Sequence, residues 1–246
     1  MQCNWCKKDA QLLKNAATTL NPDEIDCPEA NDPQGIHLAL HHLSCPSANG
    51  FRISRHDYAK KVLGETCKAL LGAANVKVEH RFPDQDRTQL RPDLSVNVDG
   101  TEYYVDVTIT NAGCHSNVLK GSNTTPLAAA TYAENYKIDK YAPVLDRSHI
   151  PRHTFFAFGI EATGRFGNEA TRFLRFIANA STIHPDRKAS SLKYCKRRIR
   201  YSVLKANADA KLAFLSSIKE YHVNNGISHI VSTNHSTIVE ETKASA

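Results

Sequence analysis

A β-hairpin constrains the fold of this sequence more than any other feature. Leu94–Val98 and Tyr103–Thr110 are rich in strand-forming residues, and Asp99-Gly100 between them is a strong signal for a two-residue turn. Because side chains alternate along a strand, Asp106 faces away from the apolar row of its own strand. That row consists of Val105, Val107 and Ile109. The sequence therefore predicts a half-buried hairpin with an acidic residue beside its core.

Further strands and helices flank the hairpin. The predicted strands are Val76 to Phe82 and His153 to Ile160. The predicted helices are one starting at Ser54 or Asp57 and stopped by Gly72, Ala128 to Tyr141 ended by Pro143, Asn168 to Asn179, and most of residues 187–222. This order predicts an α/β fold, a mixed central sheet of about four strands flanked by helices.

Composition narrows the class of protein. No apolar run approaches the roughly 20 residues that span a bilayer, and the first residues do not form a signal sequence. We therefore expect a nuclear or cytoplasmic protein without a membrane partner. Seven cysteines in such a chain favour metal binding over disulfides. The net charge of +6 fits a polyanionic partner without proving one.

Two aspartates are predicted to meet on the hairpin. Arg91-Pro92-Asp93 opens the first strand, and Asp106 lies on the returning strand. Phosphodiester hydrolysis needs carboxylates that hold Mg²⁺ or Mn²⁺ near the phosphate. Such sites also need a cation, which commonly stands two residues after the second acid, but Thr108 occupies that position here. We expect Asp93 and Asp106 to bind the metal, unless Asp93 merely ends a turn.

The missing lysine is sought on the following helix. Lys137 and Lys140 are three residues apart, so they share a helix face and could both reach the hairpin. The alternative interpretation is a solvated helix face. Helix spacing alone leaves both Lys137 and Lys140 as candidates for the catalytic lysine.

Five motifs together resemble one known family. In chain order they are Arg55-His56-Asp57, Arg91-Pro92-Asp93, Asp106-Val107-Thr108, Lys137-x-x-Lys140-Tyr141 and the glycine-rich segment 159–167. This pattern resembles the restriction-like, PD-(D/E)xK endonuclease domain of site-specific non-LTR retrotransposon proteins. The resemblance implies a restriction-endonuclease-like fold, a DNA-nicking activity, and a reverse transcriptase and RNA as further partners. It also implies that Lys137 is the catalytic lysine, with Lys140 as the second choice. It departs from the family in the longer stretch between Asp106 and Lys137.

A zinc module is predicted near the N-terminus. Cys3-x-x-Cys6 has the close spacing with which two thiolates reach one tetrahedral ion, and His41-x-x-x-Cys45 can supply the second pair. His37, His42 and Cys27 compete for the same role. The family resembled also has a Cys-Cys-His-Cys zinc knuckle upstream of its Arg-His-Asp element. Structural Zn²⁺ would let this core-poor segment fold, whereas the alternative is unligated cysteines.

Two groups of residues are candidates for DNA contact. Arg55 and His56 lie at the start of the first predicted helix, where they could bind phosphate or form part of its surface. A basic stretch without acids, residues 187–200, could bind the DNA backbone, form a solvated helix face or act as a nuclear-localisation signal. The residues predicted to bind nucleic acid in this stretch are Lys193, Lys196, Arg197, Arg198 and Arg200.

The sequence therefore predicts three parts: a zinc knuckle in residues 1–50, a nuclease core in 51–182, and a basic helical extension and tail in 183–246. The expected function is metal-dependent DNA endonuclease activity, with nicking of a target site for retrotransposon integration. A non-catalytic nucleic-acid-binding module that retains a relic nuclease core is the main alternative. A freestanding repair nuclease acting on structured DNA is a third hypothesis.

Overall fold

The computed structural model describes residues 43, 49–79, 81–82 and 90–224. The helices there are α1 (Asn49–Leu71), α2 (His115–Val118), α3 (Ala128–Arg147), α4 (Asn168–Ala180) and α5 (Pro185–Asn224). The strands are β1 (Val76–Val78), β2 (Leu94–Val98), β3 (Thr101–Thr110) and β4 (Phe155–Glu161). They form one sheet in the order β1-β2-β3-β4, with only β3 and β4 parallel. The predicted α/β fold with a mixed four-stranded sheet is confirmed.

The hairpin turn forms where the sequence predicts it. Asp99 and Gly100 have φ angles of 51° and 79°, both in the left-handed region, and Val98 pairs directly with Thr101. Two consecutive left-handed residues match the twist of antiparallel strands, which explains the Asp-Gly pair. The turn sets the register of β2 and β3, so that Leu94 lies opposite Val105.

Helices cover both faces of the sheet. The larger core lies between the sheet and α1, α4 and α5, and includes Leu63, Val105, Val107, Phe158, Phe173 and Ile199. The smaller core lies under α3 and includes Phe82, Tyr104, Tyr141, Val144, Leu145, Phe155 and Ala157. Since α3 connects the parallel strands β3 and β4, it crosses the face that carries Asp106. This crossing brings α3 to the candidate site.

The predicted boundaries of α3, α1, β1 and β4 differ from the structure. Strand β4 begins at Phe155 and not at His153, because Arg152–Thr154 forms a 3-10 helix. Pro143 does not end α3, which continues to Arg147 because Val144 and Leu145 are buried in the smaller core and offset the backbone hydrogen bond that proline removes. Helix α1 begins at Asn49, before Ser54 and Asp57, so neither of these residues caps its start. Strand β1 ends at Val78, because Glu79 has a φ of 52°. Gly72 does end α1 as predicted.

The basic C-terminal helix packs on the rest of the domain. Cys195, Ile199 and Val203 of α5 are buried in the larger core together with residues of α1, α4 and the sheet. The helical prediction for this region is confirmed, and the division at residue 182 stays a prediction. None of the described helices combines the length and the apolar character needed to cross a membrane. The zinc ligands predicted at Cys3, Cys6, His41 and Cys45 lie outside the described residues.

Candidate active site

The hairpin brings the two predicted aspartates together. Asp93 directly precedes Leu94, whose partner across the hairpin is Val105, so Asp93 lies beside Asp106 on the neighbouring strand. The backbone N–H of Val107 donates a 2.7 Å hydrogen bond to Asp93 Oδ2. Both aspartates are buried, with 9% and 4% of their surfaces exposed. Two carboxylates held this close in a buried place are costly to ionise unless cations or donors surround them.

Helix α3 supplies a cation and a donor to Asp106. Lys137 Nζ lies 2.6 Å from Asp106 Oδ2, and the Tyr141 hydroxyl donates a 2.7 Å hydrogen bond to Oδ1. These two residues are four apart and therefore share one helix face. Apart from this ion pair, the buried Oδ2 has no hydrogen-bond partner among the described residues. Lys140, the second choice, is exposed.

The electrostatics of Asp106 reflect opposing influences. Burial raises the pKa of this carboxyl, and the nearby Asp93 carboxylate acts in the same direction. Lys137 and Tyr141 oppose this rise but do not cancel it. Burial, with Asp106 beside it, also raises the pKa of the Tyr141 phenol, which therefore remains a hydrogen-bond donor at neutral pH. A bound cation beside Asp106 would favour the ionised carboxylate.

Helix α1 supplies a histidine and a lysine to Asp93. His56 Nε2 lies 3.1 Å from both Asp93 Oδ2 and the Val107 carbonyl oxygen. The hydrogen bond to Asp93 is the main cause that raises the His56 pKa. Lys60 Nζ lies 3.9 Å from Asp93 Oδ1 and also pairs with Glu79 at 2.8 Å. Asp93 is therefore fixed by β3 and by α1 together.

The two aspartates fit the chemistry of a magnesium site. Mg²⁺ is commonly bound by one or two carboxylates, with waters and substrate phosphate oxygens completing its shell. Among the described residues, no group of three or more His, Cys, Asp or Glu side chains is arranged to hold a metal. Two carboxylates and the incompletely satisfied Oδ2 of Asp106 suit a metal that shares its shell with substrate.

A cleft of about 270 Å³ lies beside these groups. Its lining includes the cationic side chains of Arg52, Arg55 and Lys137, together with His56 and Thr108. Arg55 is only 6% exposed, and burial beside Arg52 lowers its pKa to about 10. Its guanidinium donates a 2.9 Å hydrogen bond to Asn207 of α5, while its Nε has no described partner. The cleft is thus a cationic recess of a size and charge suited to phosphate.

A buried glutamate anchors α3 near the site. Glu134 is 2% exposed, and its carboxylate accepts hydrogen bonds from the backbone N–H groups of Gly159, Glu169 and Ala170 at 3.1–3.3 Å. Two of these donors belong to the first turn of α4, where the helix dipole favours an anion. Burial nevertheless raises the pKa of Glu134. Because Glu134 lies one turn before Lys137, it fixes the part of α3 that reaches Asp106.

The predicted DNA-binding stretch on α5 divides into engaged and exposed side chains. Arg198 pairs with Glu65 at 3.0 Å, and Arg200 donates a 3.0 Å hydrogen bond to the Gly164 carbonyl. Lys193 and Arg197 are exposed, whereas Lys196 is partly buried. No described hydrogen bond or ion pair joins this stretch to either aspartate. Its binding to DNA stays a prediction, with the exposed pair as its most available members.

Three contributors were not predicted from the sequence. Tyr141 belongs to the Lys137-x-x-Lys140-Tyr141 motif, but no role was predicted for it. No role was predicted for Lys60 or Glu134 either. The spacing of Lys60, four residues after His56 on one helix, was an available signal. Glu134 carried no such signal, because its partners are backbone groups of β4 and α4.

Comparison with known proteins adds no relative. No protein-family model matches the chain, and no curated protein matches it significantly. The resemblance to restriction-like endonuclease domains therefore rests on the motif residues alone.

Proposed function

We propose that this chain is a metal-dependent DNA endonuclease that hydrolyses phosphodiester bonds at Asp93 and Asp106. The observation that supports it best is the meeting of two buried aspartates and the Lys137 ammonium beside a cationic cleft. Ion pairs with a purely structural role can also shift the pKa values of carboxyl groups. Such ion pairs do not need a neighbouring cleft lined by three cationic side chains, which this site has. Target-site nicking for retrotransposon integration is the finer form of this proposal, and it comes from the motif resemblance.

Each residue has a defined task in this proposal. Asp93 and Asp106 would hold Mg²⁺ or Mn²⁺, which supplies polarisation of the phosphate and a lowered pKa for a bound water. The hydrogen bonds from Val107 and His56 keep Asp93 oriented, and Tyr141 does the same for Asp106. Lys137 offsets charge that develops on the phosphate. Arg52 and Arg55 favour the DNA backbone in the cleft.

A second candidate function is nucleic-acid binding without catalysis. The observation that favours it is the 2.6 Å ion pair, in which Lys137 already neutralises Asp106. In a relic nuclease this pair would be permanent, and the cleft would still bind the DNA backbone. In an active nuclease the ammonium must share Asp106 with the metal and the phosphate. Cleavage assays separate these two functions.

The experiment is a supercoiled-plasmid nicking assay with Mg²⁺, Mn²⁺ or EDTA. The wild-type protein should nick only with a divalent metal, and Asp93→Asn and Asp106→Asn should each abolish nicking while DNA affinity is kept. Asp99→Asn is the matched control, since this aspartate is exposed in the hairpin turn and asparagine tolerates its left-handed backbone. Wild-type protein that binds DNA but never cuts it with either metal would establish the binding module instead.

A further inference from the structure

The connection between β3 and α3, residues 111–127, folds as an ordered unit. Asn117 Nδ2 donates hydrogen bonds of 2.9 Å to Thr110 Oγ1 and 2.8 Å to the Asn111 carbonyl, and Ser122 Oγ donates to the Ala112 carbonyl at 2.5 Å. Gly121 completes the chain reversal with a φ of 85°. Connections longer than about 12–15 residues are uncommon in compact domains and are often functional when ordered.

This connection builds an exposed surface with α3. Lys120 Nζ lies 3.3 Å from the ring centroid of Tyr132, so the loop and the helix meet there. Tyr132 and Tyr136 are four residues apart on one helix face and are 49% and 58% exposed. Leu119, next to Lys120, is 73% exposed. No described aromatic ring or cation packs on the ring of Tyr136. We name this group of four residues the tyrosine surface.

The tyrosine surface adjoins the candidate active site and carries positive charge. Tyr136 directly precedes Lys137, whose ammonium contacts Asp106. Lys140, one turn further along α3, is exposed, and Asp139 is the one acidic residue beside it on this segment. Single exposed apolar residues are ordinary on protein surfaces, but here they are grouped, flanked by lysines and next to the candidate site. Aromatic rings between cations are the features with which proteins hold unpaired nucleotides.

We infer that the tyrosine surface stacks against unpaired bases next to the bond that is cut, so that the substrate is DNA with a single-stranded segment. The inference rests on the proposed function for its position beside a scissile phosphate. Bases of an intact duplex are stacked on one another and do not offer their faces to Tyr132 or Tyr136. Lys120 contacts the phosphates of the unpaired strand, and the two tyrosine rings contact its bases.

The test is binding in EDTA, measured by fluorescence anisotropy with a labelled single-stranded oligonucleotide and a fully paired hairpin of equal length. The double variant Tyr132→Ala/Tyr136→Ala should bind the single strand at least about 30-fold more weakly, because it removes two rings and stacking on each contributes about 1–3 kcal/mol per base. Affinity for the paired hairpin should change less than about twofold. The slope of affinity against salt should stay unchanged, since the substitutions remove no phosphate contact.

The matched control is Tyr132→Phe/Tyr136→Phe, which keeps both aromatic rings at the same positions and removes only the hydroxyl groups. It should leave single-strand affinity at the wild-type level. The inference is overturned by wild-type protein that does not bind the single strand, by an equal loss for both ligands, by an equal loss in the control variant, or by unchanged DNA affinity, as a protein-docking role would give.

The two proposals fail separately. Nicking of the supercoiled plasmid with Mg²⁺ tests the nuclease, and single-strand binding in EDTA tests the tyrosine surface. If single-strand binding depends on the two tyrosines but no metal supports cutting, the inference about the tyrosine surface is supported and the nuclease proposal is refuted. If a metal supports cutting but the double variant binds the single strand as well as the wild type does, the nuclease proposal is supported and the inference is refuted.

Discussion

Substitution of Tyr141 by phenylalanine removes one hydroxyl group from the candidate site. This hydroxyl lies 2.7 Å from Asp106 Oδ1, to which it donates, and 2.9 Å from the Arg91 carbonyl oxygen, a second acceptor. The substitution keeps the ring, which stacks on Phe155 with centroids 4.6 Å apart. Packing of the smaller core should therefore survive, and Asp106 should lose its directed hydrogen-bond donor. Lys137 remains as the cation beside the other carboxylate oxygen.

The magnitude follows from the charge and burial of Asp106. A hydrogen bond to a charged group contributes about 1.5–3 kcal/mol. Tyr141→Phe should therefore raise the Asp106 pKa further above its ordinary value, because the ionised carboxylate loses a hydrogen-bond donor. The stability lost through this contact is about 1.5–3 kcal/mol where Asp106 is ionised.

The pH dependence has a definite sign. The pKa of Asp106 is higher in the native protein than in the unfolded chain. At pH values between these two pKa values, the native state therefore binds more protons than the unfolded state does. The contribution of Asp106 to stability is present below the unfolded pKa and is lost as pH rises through the folded pKa. Removing the Tyr141 hydroxyl extends this loss to higher pH. The stability gap between wild type and variant should be widest near neutral pH and narrow in acid.

Metal-free protein is the sample for the assay. Urea unfolding across the pH range gives the stability gap, and a carbon-13 titration of the Asp106 carboxyl gives its pKa directly. Tyr194→Phe is the control, because the Tyr194 side chain lies on the α5 surface and is 52% exposed. A stability gap that does not vary with pH, or an Asp106 pKa that does not move, would refute the role assigned to Tyr141.

Three further predictions concern other parts of the molecule. Lys137→Ala should reduce the nicking rate by about 10²–10³-fold and Lys140→Ala should change it little, because Lys137 contacts Asp106 and Lys140 is exposed. Single-turnover rates measure both effects, and a larger loss in Lys140→Ala than in Lys137→Ala would contradict the assignment. Lys193→Ala/Arg197→Ala should flatten the salt dependence of DNA binding by about 0.9 per lost duplex phosphate contact, and an unaltered slope in titrations would remove α5 from the DNA interface. Gly159→Ala should destabilise the fold by about 1–3 kcal/mol, because the added Cβ would lie 2.6 Å from Cγ of the buried Glu134. Urea unfolding measures this loss, and Gly50→Ala is the control because a Cβ at Gly50 would meet no other atom within 4 Å.

The pattern of the sequence was sufficient to predict the elements that carry the site. Alternation in β3 placed Val105 and Val107 in the core and Asp106 on the opposite face, as the structure shows. The Asp-Gly pair predicted the turn, and the turn determines the register that sets Asp93 beside Asp106. These features depend on residues that are adjacent in the chain and on the alternation of side chains along a strand, so they can be recognised from the sequence without a structure.

The choice between the two lysines and the anchoring of their helix depended on tertiary structure. Lys137 and Lys140 have similar local sequence, and only the packing of α3 across β3 and β4 turns one toward Asp106 and leaves the other exposed. Pro143 predicted a helix end by local rules, but burial of the following residues carried the helix past it.

The contacts of His56 with Asp93 and of Glu134 with the start of α4 join segments far apart in the chain. Such contacts form only when the core brings whole elements together, since their free energy comes from burial and from backbone groups that carry no residue-specific signal. The sequence by itself therefore determined the strands, the turn and the pair of acids. The tertiary structure alone decided which cation, donor and anchor complete the site.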